Sequence, residues 1–120
     1  MSYGNPSTST TYRFPAVSVI AGATLGKLVG PAGKQGRLLD IAYVVTTGVT
    51  VAASNLIVGV AGDTDAFGTK AVPVSAADSV GNGITRGVTE IIPADTAVYV
   101  GSAGGATAGA VDALITINWF

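Results

Sequence analysis

The chain has 120 residues, six of them basic and seven acidic, which is material for one domain and leaves no basic footprint for coating nucleic acid. It contains no histidine and no cysteine, which excludes the commonest general base, a thiol nucleophile, a zinc tetrad and a disulfide. Charged residues make up 11% of the chain and apolar residues 48%, whereas soluble domains carry roughly 25% charged residues, so the surplus apolar surface has to be covered by a membrane, a deep core or an assembly.

The longest charge-free run, residues 41–62, is long enough to cross a bilayer. Thr46, Thr47, Thr50, Ser54 and Asn55, together with its glycines, break it into short β-branched pieces, so it reads as strands and no membrane association is expected. Residues 1–11 have neither an apolar core nor an early positive charge, so no secretory leader is expected. Ser2, Ser7, Thr8, Ser9, Thr10 and Thr11 with Gly4 and Pro6 offer too little apolar surface to offset ordering entropy, and the segment reads as a flexible N-terminal arm. Its candidate contact residues are Tyr3, Asn5, Thr8, Thr10 and Tyr12 at the junction with the domain, residues 12–120.

From Tyr12 onward, short β-branched runs alternate with period two between turn residues, which is an all-β pattern. Strands are expected over residues 12–20, 38–47, 56–61, 70–75, 88–92 and 97–101, with weaker pieces at 25–29 and 49–52. The clearest is the last: Val111, Ala113, Ile115, Ile117 and Trp119 share one face, while Asp112, Leu114, Thr116, Asn118 and Phe120 share the other. That second face is only half polar, as for a strand covered by its own core on one side and partly covered on the other. Turns are expected at residues 30–33, 62–65, 81–83 and 93–95, and residues 101–109 read as a low-complexity loop. Residues 76–79 have the composition of a single helical turn; elsewhere no helical period is sustained. About eight antiparallel strands with this spacing suit a sandwich or barrel.

Chemical motifs fail on inspection. Lys34 has Leu28 where a phosphate-binding loop needs glycine and Gln35 where it needs Ser or Thr. Gly81 and Gly83 are followed by Arg86 instead of the third glycine of a dinucleotide fingerprint. Asp63, Asp65 and Gly68 match the start of a calcium loop, but Phe67 and Val74 occupy positions that need oxygen ligands. No two carboxylates are brought together by sequence alone as an acid/base pair, and the aromatics are too scattered for a stacking platform. No catalytic residue, cofactor or metal is expected. The aromatic pair Trp119 and Phe120 needs an anchor, which is expected within the sheet.

The segments Ile41-Ala-Tyr-Val-Val-Thr-Thr47, Leu56-Ile-Val-Gly-Val60 followed by Asp63-Thr-Asp65, Ile92-Pro-Ala-Asp-Thr96 with Val98-Tyr-Val100, and Thr107-Ala-Gly-Ala-Val111 leading to Ile115-Thr-Ile117 resemble the small jelly-roll decoration, or cement, proteins of tailed-phage capsids. The resemblance covers about residues 12–120 and rests on pattern and loop texture. It implies a jelly-roll β-sandwich that forms a homotrimer on the outer surface of the virion head, bridges neighbouring major capsid protein subunits and stabilises the shell. It brings no enzyme activity and no cofactor. Two alternatives stay open: a lectin-like jelly roll binding a host-surface glycan, and a trimeric tail or fibre subunit. The metal-dependent cupins that share the architecture are excluded, because they need histidine ligands.

Overall fold

The computed structural model describes residues 8–20 and 24–120. Among these residues nine strands follow in chain order: β1 (Thr8–Ser18), β2 (Thr24–Leu28), β3 (Gly36–Thr50), β4 (Ser54–Val60), β5 (Asp63–Val72), β6 (Val80–Gly81), β7 (Thr85–Arg86), β8 (Val98–Gly104) and β9 (Ala108–Trp119). They form two antiparallel sheets, β1-β9-β3-β6 and β2-β8-β4-β5-β7, packed face to face as a β-sandwich with no helix among the described residues. The all-β class is therefore as expected.

β9 sits at the centre of the first sheet, between β1 and β3. Val111, Ala113, Ile115, Ile117 and Trp119 are fully buried and meet Leu56, Val58, Val98 and Val100 from the second sheet in one core. The sequence period of two is what makes this possible, since alternate side chains leave a strand on opposite faces. β3 keeps its apolar side inward only through a bulge: the register with β9 shifts between Leu38 and Asp40. The extra residue, Leu39, is 41% exposed while Leu38 and Ile41 are buried, so inward positions change parity at the bulge.

Trp119 needs room as well as apolar neighbours. A Cβ on Gly30 or Gly36 would come within 2.5 Å of its indole ring, so the bare backbone of these two glycines forms the wall against which the ring lies. The C-terminus is tied down in the sheet as expected, with Phe120 and Gln35 exchanging both backbone hydrogen bonds at 2.9 Å.

Several boundaries differ from the sequence expectation. β1 begins at Thr8, and Thr8, Ser9, Thr10 and Thr11 pair with Trp119, Asn118, Ile117 and Thr116. These four residues, assigned above to the flexible arm, belong to a regular ladder because their threonines are strand formers lying beside a complete partner strand. The turn after β4 is confined to Ala61 and Gly62, so Asp63 already pairs with Val60. β5 ends at Val72 because Pro73 has no amide to donate. β8 and β9 run into the glycine/alanine segment 101–109, since ladder pairing requires backbone and not bulk. Residues 88–92 form no strand: Val88 is 89% exposed, and only Ile92 turns into the core, through a bridge to Gly36.

The long connection after β5 closes one flank of the sandwich. Ser75 bonds Val49 in both directions, the Val45 amide donates to Ser79 at 2.8 Å, the Gly83 amide donates to the Asp40 carboxylate at 2.7 Å, and the Arg86 guanidinium donates to the Leu38 carbonyl at 2.7 Å. These contacts satisfy the free edge of β3, which β6 alone is too short to cover.

Candidate interaction surface

The charges are distributed unevenly from one end of the sandwich to the other. At one end lie Lys34, Arg37, Asp63, Asp65, Glu90 and Asp95; Arg37 and Glu90 stand 3.7 Å apart, both exposed, and Asp95 accepts from the Gly33 amide at 3.0 Å. At the other end, the described loops after β1 (Val19 and Ile20), between β3 and β4 (Val51, Ala52 and Ala53), and between β8 and β9 (Gly105, Ala106 and Thr107) contain no charged residue. The start of the loop after β5, Pro73, Val74 and Ser75, is also uncharged, and Asp78 follows further along.

These loops are knitted together from beneath. The Ser54 hydroxyl, fully buried, lies 2.6 Å from the Val19 carbonyl and 3.0 Å from the Ala103 carbonyl. The Ser102 hydroxyl donates to the Ile20 carbonyl at 2.9 Å. The Gly105 amide donates to Ala53 at 3.2 Å and the Thr107 amide to Thr50 at 3.3 Å. Buried hydroxyls that must be satisfied fix the loop backbones, and the scaffold holds Ile20, Val51 and Val74 outward at 46%, 76% and 56% exposure.

Val51 is also backbone-strained. Its φ is +75°, a left-handed conformation that a β-branched residue rarely adopts and that costs roughly 1–2 kcal/mol. A valine this exposed adds little to the core, and strained backbone positions cluster at active sites, ligand clamps and switch regions. A second apolar patch lies on the outer face of the first sheet, where Ala42, Val44, Val80 and Leu114 line a shallow depression with Asn82. It accounts for the half-polar second face read from β9.

Of the five residues proposed above as arm contacts, the structure describes three. Tyr3 and Asn5 lie outside the described residues. Thr8, Thr10 and Tyr12 occupy one side of β1, opposite Trp119, Ile117 and Ile115. Tyr12 packs against the core and its hydroxyl accepts from the Trp119 indole nitrogen at 3.0 Å, so the fold itself uses that side chain. Ser54 and Ser102 were not singled out from the sequence, although they continue the inward phase of Leu56 and Val58 and of Val98 and Val100.

Among the described residues no cluster of three His, Cys, Asp or Glu side chains is placed to hold a metal. Asp63 and Asp65 are exposed neighbours on β5. Their side-chain hydrogen bond, with smaller contributions from desolvation and from the Asp65 charge, holds the Asp63 carboxyl above the ordinary aspartate range. Burial likewise raises the Tyr43 phenol. No protein-family model matches the chain, and no curated protein matches it.

Proposed function

We propose that this protein is a structural binding module, a jelly-roll decoration protein that attaches to the outer surface of a phage head as a homotrimer, bridges major capsid protein subunits and stabilises the shell. The observation that carries the reading is the uncharged end of the sandwich, where Ile20, Val51 and Val74 project from loops fixed by buried serines. Such a surface suits a contact dominated by apolar burial, with charges kept away from its centre.

The jelly-roll assignment is supported by how the strands pair. β1 pairs β9, β2 pairs β8, β3 pairs β6 and β4 pairs β5, alternating between the two sheets. One long antiparallel ribbon, closed at the turn between β4 and β5 and rolled into a sandwich, would pair its strands in this way, with β7 as an addition at an edge. Binding, and not chemistry, is then the mechanism: a ligand that binds the assembled shell and not its free subunits stabilises the shell by mass action. Three contacts tethered in a trimer multiply modest individual affinities.

Co-sedimentation of the purified protein with undecorated heads tests this reading. Binding should persist at about 0.5 M NaCl, where the Debye length is near 4 Å. Loss of binding at that salt contradicts an apolar contact, and no binding at any salt contradicts the function. Light scattering of the free protein tests the trimer, which a stable 11.8 kDa monomer at every accessible concentration would rule out.

A further inference from the structure

The sequence contains a single Asn-Gly step, Asn82 followed by Gly83, and it falls in the connection between β6 and β7. Asn82 is exposed, and Gly83 has a φ of +100° with nothing within 4 Å of where a Cβ would stand. In such a step the glycine nitrogen is unshielded and can reach the preceding side-chain amide. The other asparagines lack this chemistry: Asn55 and Asn118 sit in strands before Leu56 and Trp119, whose side chains obstruct the approach, and Asn5 precedes Pro6, which has no amide hydrogen.

What sets this step apart is the partner of the attacking nitrogen. The Gly83 N–H donates to the Asp40 carboxylate at 2.7 Å, a short charge-assisted hydrogen bond. We propose that Asn82 is a site of spontaneous conversion to aspartate and isoaspartate, and that Asp40 restrains the reaction by holding the nucleophile.

The chemistry needs only water. Hydroxide removes the Gly83 amide proton, and the nitrogen forms a bond to the Asn82 Cγ, closing a five-membered imide. The bond from Cγ to Nδ2 breaks, and Nδ2 leaves as ammonia, taking a proton from water and restoring hydroxide. A second water opens the imide at either carbonyl, leaving aspartate or isoaspartate. The net change is gain of water and loss of ammonia, with no redox step.

Asp40 opposes the first stage in two ways. The N–H must give up its bond to the carboxylate before the peptide can swing toward Cγ, and negative charge developing on the nitrogen is disfavoured beside an existing negative charge. The product matters for the surface. A new carboxylate at position 82 stands on the rim of the depression lined by Ala42, Val44, Val80 and Leu114. The isoaspartate form also lengthens the backbone beside Gly81, whose pairing with Tyr43 helps close that edge of β3.

The test is a time course of the purified full chain at physiological temperature in mildly alkaline buffer, with peptide mapping for aspartate and isoaspartate at position 82. Wild-type protein, Asp40→Ala, Asp40→Asn and wild-type protein unfolded in urea are compared, with circular dichroism confirming that the variants are folded. Folded wild type should convert more slowly than the unfolded chain by about tenfold or more, the equivalent of one charge-assisted hydrogen bond. Asp40→Ala should recover most of that difference, and Asp40→Asn, which keeps an acceptor without the charge, should fall between. If Asp40→Ala does not fold, Asp40→Asn carries the comparison. Rates in the folded variants equal to wild type overturn the restraint, and conversion at another asparagine ahead of position 82 overturns the site.

Discussion

The Trp119 indole nitrogen donates a 3.0 Å hydrogen bond to the Tyr12 hydroxyl, joining the last strand to the first through the side chains of adjacent strands. Trp119 is 1% exposed, so its donor has little access to water and depends on that one acceptor. Tyr12→Phe should therefore cost about 1–3 kcal/mol, the range for leaving a buried donor unsatisfied. Trp119→Phe adds lost packing volume. In the double variant the cost should be less than the sum, because the orphaned donor has gone. Urea unfolding of the four proteins measures the coupling, and strict additivity would show that the hydrogen bond contributes nothing.

The start of β1 makes a second prediction. A chain lacking residues 1–11 should be less stable than one lacking residues 1–7 alone, by roughly 1–3 kcal/mol for four lost cross-strand pairs. Among those pairs are the Thr11 and Thr116 hydroxyls, 3.0 Å apart. Thermal unfolding of both truncations checks this, and equal midpoints would mean that Thr8–Thr11 contribute nothing to the sheet.

How far the sequence could be read follows from where period and volume act together. β9 was legible because five apolar side chains, four of them large or β-branched, alternate without interruption from Val111 to Trp119. β3 was legible in part: Leu38 and Leu39 are chemically identical, and only the bulge decides which is buried. β6 and β7, two residues each, carry no period at all, since tertiary pairing alone makes them strands. The uncharged end was visible as charge-free stretches, but those stretches are far apart in the chain, and only the strand order brings Ile20, Val51 and Val74 to the same end. Ser54 and Ser102 were hidden because a hydroxyl in an inward phase reads as a break in the pattern unless its acceptor is known.

Asp63 titrates above the ordinary aspartate range because of Asp65, and the sign of its effect on stability follows. A carboxyl whose folded pKa is raised favours the folded state while it is protonated, and that contribution is lost as pH rises through the folded pKa. Asp63→Asn should thus raise the melting temperature slightly at neutral pH, where two carboxylates oppose each other. The gain should vanish below the carboxylate range. Both groups are exposed, so the effect is small and should shrink with added salt. A gain that persists at acid pH would point to a different origin.

The strain at Val51 can be removed without touching the core. Asn tolerates the left-handed conformation, so Val51→Asn should stabilise the isolated protein by roughly 1 kcal/mol, or a few degrees in Tm. A loss of stability would mean that the valine side chain makes a compensating contact within the fold.

The uncharged end as the docking surface is tested most directly by the heat disruption of undecorated phage heads with and without added protein. Wild-type protein should raise the disruption temperature, and Val51→Asp, which places a charge at the most exposed of Ile20, Val51 and Val74 on a backbone aspartate tolerates, should abolish most of the gain while remaining folded. No gain with wild type, or an equal gain with Val51→Asp, would contradict the account.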